Sequence, residues 1–211
     1  MSASASKAQV VQAMFNRIAN RYDLLNDWIS LGMHRQWKQR ACNMLRLKPG
    51  DTALDVCTGT GDLALMLADR VRLMAPQAAS GATKTTEVTE VAGLSHHLTG
   101  QVVGIDFSEQ MLAVARKRFD MVSNLRFIQG DAMALPFEDN VFSGTIVAFG
   151  LRNVDDIHRA LSEMIRVTQP NGWVVSLDTC PKASLPGFEL YFSVVMPLIG
   201  QLLGQDRSAY E

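Results

Sequence analysis

After residue 50, short apolar segments alternate with longer amphipathic ones, and this alternation constrains the fold more than any other feature of the sequence. The short segments are rich in Val and Ile, and those between them carry apolar residues at helical spacing. The pattern predicts βαβ units, and hence a doubly wound α/β fold whose mostly parallel sheet is covered by helices on both faces. The predicted strands are 52–57, 101–107, 125–129, 142–149 and 173–179, and the predicted helices are 61–73, 108–119 and 155–168.

The chain before this alternation has a different pattern. Within residues 1–48 apolar side chains such as Val11, Phe15, Trp37 and Ala41 recur at helical spacing, so we predict an N-terminal helical segment there. Residues 49–211 then form the binding core. Within the core, the Thr-, Ala-, Ser- and Gly-rich stretch at about 76–100 has no useful period and predicts a flexible surface insertion.

Composition excludes several classes of function. Twenty Lys and Arg against 21 Asp and Glu give a near-neutral chain, so no nucleic-acid partner is expected. Three cysteines without C-x-x-C spacing favour neither a disulfide framework nor a zinc site, and fit a reducing, cytoplasmic location. Adjacent His96 and His97 do not face one another, so no metal site is predicted. The longest apolar stretch, 194–203, is too short to span a membrane.

A glycine-rich motif between the first predicted strand and helix is the strongest local signal. Gly59 and Gly61 allow a tight turn, and the following helix presents unpaired N–H groups to a ligand. Its spacing also fits the dinucleotide fingerprint, so the motif alone leaves an NAD-dependent dehydrogenase open. Asp55 and Asp62 place carboxylates around the turn, which disfavours a pyrophosphate and favours an ammonium or a sulfonium.

Two further carboxylates follow the next predicted strands. Asp106 ends the second strand, where it can accept both hydroxyls of a ribose, and Ser108 is placed to cap the next helix. Asp131 ends the third strand at the same edge of the sheet. A nucleoside with a cationic tail, S-adenosylmethionine, suits this arrangement. The predicted cofactor-binding residues are Asp55, Gly59, Thr60, Gly61, Asp106, Phe107, Asp131 and Ala132.

A longer motif narrows the reaction. Residues 22–37 match the pattern Y-D-x-x-N-x-x-[apolar]-S-x-x-x-H-x-x-W, and segments 59–62, 135–140 and 149–154 continue the match. In these motifs the chain resembles the quinone C-methyltransferases of ubiquinone and menaquinone biosynthesis, over almost its whole length. The resemblance implies a Rossmann-like class I methyltransferase fold. It also implies transfer of a methyl group from S-adenosylmethionine to a ring carbon of a prenylated quinol, with S-adenosylhomocysteine as product.

The resemblance also implies the reacting groups. It points to Arg152 and Asn153, and because a guanidinium stays protonated, we expect Arg152 to stabilise a developing phenolate or to hold a water that takes the proton. The alternatives are structural: an ion pair of Arg152 with Asp155 or Asp156, and capping of the next helix by Asn153.

Three residues of the N-terminal segment complete the predicted catalytic set. His34 is a candidate proton acceptor, with a structural role as its alternative. Tyr22 and Asp23 lie in a segment that is placed to close over the cofactor and exclude water.

The match departs from the family at its C-terminal end. The last predicted strand ends at Asp178 where the family usually has Glu, and the chain stops before the helix and hairpin that complete a seven-stranded sheet. We therefore expect the C-terminal strands to be missing, which leaves an open edge that favours a homodimer.

Several functional alternatives stay open. The sequence of residues 26–37 is closer to that of the naphthoquinone-pathway members of the family, which favours a demethylmenaquinol or another 2-polyprenyl-1,4-naphthoquinol as substrate. The alternatives are a benzoquinol methyltransferase and a non-catalytic subunit of a quinone-synthesis complex. The substrate is lipophilic, so a cytoplasmic enzyme that is peripheral to a membrane surface is expected.

Overall fold

The computed structural model describes residues 19, 26–28, 30–72 and 100–178. Five strands are described, β1 (Ala53–Val56), β2 (Val102–Asp106), β3 (Leu125–Gln129), β4 (Phe142–Ala148) and β5 (Thr168–Leu177). Four helices accompany them, α1 (Met33–Met44), α2 (Asp62–Val71), α3 (Glu109–Arg118) and α4 (Ile157–Val167), together with a short 3₁₀ helix, Leu151–Asn153.

The five strands form one sheet in the order β3-β2-β1-β4-β5, and every pair is parallel. The chain runs outward from β1 through β2 to β3, and then returns to place β4 on the other side of β1. The strand order therefore reverses between β1 and β4, and in open α/β sheets ligands bind outside the carboxyl ends of the strands at such a point. The doubly wound α/β prediction is confirmed.

The core lies on both faces of this sheet. Every residue of β1 and β2 is buried, as expected for central parallel strands covered on both sides. One layer joins Ala53 and Ile146 to α2, to Ala41 and Cys42 of α1, and to Leu45, which directly follows α1. The other layer packs alternate strand residues against α4. Both layers hold the carboxyl ends of β1, β2 and β4 in fixed register.

The largest boundary error concerns β5, which we predicted to begin at Trp173. In the structure β5 begins at Thr168, which pairs with Phe142 of β4, while Trp173 pairs with Gly144. Four residues of β5 therefore stand against one residue of β4, in an irregularity that contains the turn signal Pro170-Asn171-Gly172. The turn signal is expressed locally, because Asn171 has a positive φ of 67°, but the residues before it already pair with β4, so the turn lies within β5 and not before it.

Other predictions fall partly or wholly outside the described residues. The predicted N-terminal segment is described as helical at 26–28 and in α1, whereas Tyr22 and Asp23 lie outside the described residues. So do residues 179–211 and all of the 76–100 stretch except Gly100. No helix in the described ranges is long and apolar enough to cross a membrane.

Candidate active site

The glycine turn leaves β1 through three residues with positive φ. Cys57 has φ 56°, Gly59 has φ 58° and Gly61, the N-cap of α2, has φ 85°. A Cβ on Gly61 would also lie 2.7 Å from the ring of Phe127 on β3. Both backbone conformation and packing therefore require glycine at position 61, and the turn brings the first N–H groups of α2 to the carboxyl edge of the sheet.

Asp106 is the best-fixed polar group at this edge. Its Oδ2 accepts the N–H of Gly59 at 2.9 Å and its Oδ1 accepts the N–H of Ser108 at 2.9 Å. Burial raises the pKa of this carboxyl group, and the two main-chain N–H donors oppose that shift. Ser108 in turn caps α3 by accepting the N–H of Met111, as predicted. The carboxylate is thus held rigidly between two turns.

A cleft of about 900 Å³, partly open to solvent, lies over the carboxyl ends of β1 to β4. Six of the predicted site residues line it: Gly59, Asp106, Phe107, Asp131, Ala132 and Asn153. The other described residues that line it are Cys57, Ile105, Met111, Gly130, Met133, Ala148, Phe149, Gly150, Val154 and Asp155.

The charge of this lining has one sign. Asp106, Asp131 and Asp155 are its ionisable carboxylates, and the described residues that line the cleft include no Lys, Arg or His. A diphosphate would meet three carboxylates without a cation to neutralise it, whereas a sulfonium or an ammonium would be attracted. The lining therefore fits S-adenosylmethionine and counts against a dinucleotide.

Three predicted cofactor residues, Asp55, Thr60 and Gly61, are not part of this lining. Asp55 is 1% exposed and accepts a hydrogen bond from the Thr58 hydroxyl at 2.6 Å. Burial raises its pKa to about 7. Thr60 is 2% exposed. Asp55 thus lies in β1, and Thr60 and Gly61 lie within the turn, away from the described cleft wall.

The carboxylate of Asp62 contributes less to the exclusion of a pyrophosphate than the sequence indicated. Its Oδ1 lies 2.9 Å from Arg118 Nη2 of α3, and its Oδ2 lies 3.8 Å from Lys38 Nζ of α1. Two cations therefore compensate its charge. The discrimination against phosphate comes from the three carboxylates of the cleft lining.

Arg152 lies in the 3₁₀ helix that follows β4, next to Asn153 on the cleft wall. Its side chain is half-exposed, and its Nη1 lies 2.6 Å from Oδ1 of Asp178, which follows β5. Asn153 does not cap α4, because Asp156 is the N-cap and accepts the N–H of Arg159 at 3.0 Å. The capping alternative for Asn153 is therefore wrong, and its amide donates instead to the Phe149 carbonyl at 3.5 Å.

His34 is not part of the described cleft lining. It is 5% exposed on α1, and its Nδ1 is 2.7 Å from the Ser30 hydroxyl. Its Nε2 lies 3.7 Å from Asp27 Oδ1. Burial, followed by the nearby charge of Lys38, lowers its pKa. A neutral imidazole at this place has a structural partner, and its catalytic role stays a prediction.

Sequence reasoning had not predicted that Cys57, Met133 and Gly150 line the cleft, and it had considered Asp155 only as a partner of Arg152. Cys57 directly follows β1 and Gly150 comes two residues after β4. The rule that ligands bind beyond the carboxyl ends of parallel strands would have found both. Nothing in the sequence indicates that these two residues contact each other. A Cβ on Gly150 would overlap the Cβ of Cys57 and lie 2.9 Å from its Sγ.

Solved structures share this architecture at low sequence identity. A putative S-adenosylmethionine-dependent methyltransferase of Methanococcus maripaludis superposes with a TM-score of 0.56 at 18% identity, covering 83% of this chain and 67% of its own. The [4+2]-cyclase SpnF superposes with a TM-score of 0.57 at 22% identity, covering 81% of this chain and 60% of its own. These similarities support the Rossmann-like methyltransferase fold and, since one protein is a cyclase, not the reaction.

Sequence relatives are more specific. Demethylmenaquinone methyltransferases of Staphylococcus carnosus and Staphylococcus aureus are 37% and 38% identical over 215 residues, which span all of this chain and 78% of each relative. The model of the ubiE/COQ5 methyltransferase family matches residues 3–211. The resemblance stated from the motifs is confirmed, and the chain belongs to the ubiE/COQ5 methyltransferase family.

Proposed function

We propose that this chain transfers the methyl group of S-adenosylmethionine to a ring carbon of a demethylmenaquinol, a prenylated naphthoquinol. The observation that carries the proposal is a cleft lined by three carboxylates, without a described cation in its lining, beside the Arg152–Asp178 ion pair. The names of the staphylococcal relatives support a naphthoquinol over a benzoquinol.

Asp106 is the residue that would hold the ribose, because its fixed carboxylate can accept hydroxyl hydrogen bonds in addition to its two main-chain partners. Asp131 and Asp155 place negative charge where a cationic ligand gains from it. When bound, S-adenosylmethionine supplies an electrophilic methyl group. The protein's part is then to position the acceptor ring and to stabilise charge on it.

Arg152 is proposed to stabilise that charge. A quinol ring carbon becomes a good nucleophile when the neighbouring phenol gives its proton to water, and a guanidinium next to the cleft stabilises the phenolate that forms. After the methyl group is transferred, the same ring carbon loses its hydrogen as a proton to water, which restores the quinol. Asp178 holds Nη1 of Arg152 at 2.6 Å and so limits the orientations of the fork. Asn153, the next residue, faces the cleft.

The experiment is a methyl-transfer assay of the purified protein with labelled S-adenosylmethionine. A demethylnaphthoquinol and a matched benzoquinol of equal tail length are offered in parallel, with excess NAD as a competitor. We expect label in the naphthoquinol and no inhibition by NAD. Faster labelling of the benzoquinol would reassign the substrate. Cofactor binding without label in either quinol would favour a non-catalytic subunit.

Location and assembly are part of the same proposal. A prenylated quinol is dissolved in lipid, so we propose a cytoplasmic enzyme that meets its substrate at a membrane surface, and that associates as a homodimer. Sedimentation with quinol-containing vesicles and light scattering test the two statements separately. Protein that stays in the supernatant contradicts the first, and a monomer at all concentrations contradicts the second.

A further inference from the structure

One face of α4 carries three charged side chains that bond to the main chain of the segment after β3. Arg159, Glu163 and Arg166 are spaced i, i+4 and i+7, which places them on the same side of a helix. Their partners are in the segment 133–137. This segment continues directly from Asp131 and Ala132 on the cleft wall.

The bonds follow the segment at every second residue. Arg159 Nε donates to the Met133 carbonyl at 2.9 Å, and Glu163 Oε2 accepts the Leu135 N–H at 2.8 Å. Arg166 Nη2 donates to the Leu135 carbonyl at 2.9 Å and its Nη1 to the Phe137 carbonyl at 2.7 Å. All four bonds involve a charged partner, and such bonds are shorter and stronger than neutral ones.

Glu163 and Arg166 also fix each other. Arg166 Nε lies 2.7 Å from Glu163 Oε1, and its Nη2 lies 2.7 Å from Oε2, which is a two-bond fork. These bonds lower the pKa of Glu163 and raise that of Arg166. The side chains of Glu163 and Arg166 are therefore held in defined positions where they bond to the segment 133–137, which we call the loop after β3.

The loop needs this support because it has little regular structure of its own. Beyond β3 it has one isolated bridge, between Asp131 and Ala134, a bond from the Met133 N–H to the Asp131 carboxylate at 2.8 Å, and a short turn in which the Phe137 N–H donates to the Leu135 carbonyl at 2.8 Å. Leu135 and Phe137 anchor it in the core. Ligand-binding loops that are misplaced by about 1 Å lose much of their effect.

We propose that Arg159, Glu163 and Arg166 are positioning residues that set residues 131–133 for the adenosyl part of the cofactor. They act through the loop backbone, and none of the three is part of the cleft lining described here. The inference rests on the proposed function, since it assumes that the cleft binds S-adenosylmethionine.

The test uses Arg159→Met, which keeps the apolar stem and removes the donor to Met133, and Arg166→Lys, which replaces a fork by a point charge. Arg40→Met, at an exposed arginine on α1, is the matched control. We expect KM for S-adenosylmethionine and Kd for S-adenosylhomocysteine to rise about fivefold in Arg159→Met and about tenfold in Arg166→Lys, with kcat within twofold of wild type. Arg159→Lys restores a donor and should recover part of the loss.

Thermal unfolding separates positioning from stability. Arg159 is exposed, so Arg159→Met should change affinity with little change in Tm. Affinities within twofold of wild type in both variants, with or without a fall in Tm, would overturn the inference. So would a fall in kcat at unchanged KM. If the wild-type protein binds no S-adenosylhomocysteine, the proposed function fails as well; if it binds and the variants bind equally, this inference alone fails.

Discussion

The two sides of the cleft are built differently. On the side of β2 and β3, Asp106 is held by two main-chain N–H groups and the 131–137 loop is bonded along its backbone to α4. On the side of β4 and β5, Arg152 is half-exposed and reaches Asp178 across 26 residues of sequence. The first side is organised before any ligand arrives, whereas the second depends on one charged side chain. Binding and reaction should therefore respond separately to mutation.

The largest expected effect is on the rigid side. Asp106→Ala removes the proposed ribose contact and leaves the N–H groups of Gly59 and Ser108 without their acceptor. We expect S-adenosylhomocysteine binding to weaken by about 1.5 to 3 kcal/mol, measured by calorimetry. Asp131→Ala is the matched control, because Asp131 is exposed and should cost less. Equal losses in the two variants would contradict the special position of Asp106.

Arg152→Ala tests the other side. If the guanidinium stabilises charge that forms only during reaction, kcat should fall about 30-fold, or about 2 kcal/mol, while Kd for S-adenosylhomocysteine stays within twofold. Arg152→Lys should recover little, since an ammonium does not reproduce the planar fork. A kcat within a factor of about three of wild type would make the residue structural.

The contact between Gly150, which follows β4, and Cys57, which follows the central strand β1, can be tested by mutation. In Gly150→Ala the new Cβ would overlap the Cβ of Cys57, so we expect unfolding to become easier by about 1 to 2 kcal/mol in a urea titration. Cys57→Gly removes the opposing atom and suits the positive φ of that position. The double variant should recover most of the loss. Strictly additive changes would show that the two residues do not meet.

The smallest expected effect is a pH dependence of stability at His34. Because the folded-state pKa lies below 6.5, the unfolded chain takes up the proton first, and the contribution of His34 to the free energy of unfolding should fall as pH drops below about 6.5. The charges that act on the imidazole are those of Lys38, Asp27, Arg35 and Asp62. His34→Gln removes this contribution, so the stability of the variant relative to wild type should rise as pH drops below about 6.5 and should be constant above pH 7. Parallel profiles down to pH 5 would contradict the direction of the shift.

Sequence periodicity predicted most of the described sheet. The bounds of β3 agree with the prediction, and the carboxylates Asp106 and Asp131 lie at strand ends as expected. These features depend on short-range patterns, because a buried strand and the turn after it can be recognised from a few consecutive residues.

Contacts between residues that are far apart in the sequence could not be predicted from local patterns. Asp178 pairs with Arg152 because β4 and β5 are neighbours, and nothing local to either residue indicates it. The same holds for Asp62, whose cations come from α1 and α3. The early start of β5 was hidden because Pro170, Asn171 and Gly172 are turn residues, and in the structure they form an irregularity within β5, where Asn171 has a positive φ.

The strand order also sets a sequence of events in folding. The central strand β1 is synthesised before the other described strands, yet its partners β2 and β4 begin about 50 and 90 residues later. Such separations raise contact order and slow folding. On the ribosome, β1 can first pair with β2 and then β3, which completes the Asp106 side while β4 is still unmade. The arginine side would form last, once Asp178 has emerged, so a newly made chain is expected to acquire a place for the methyl donor before it acquires the group that activates the acceptor.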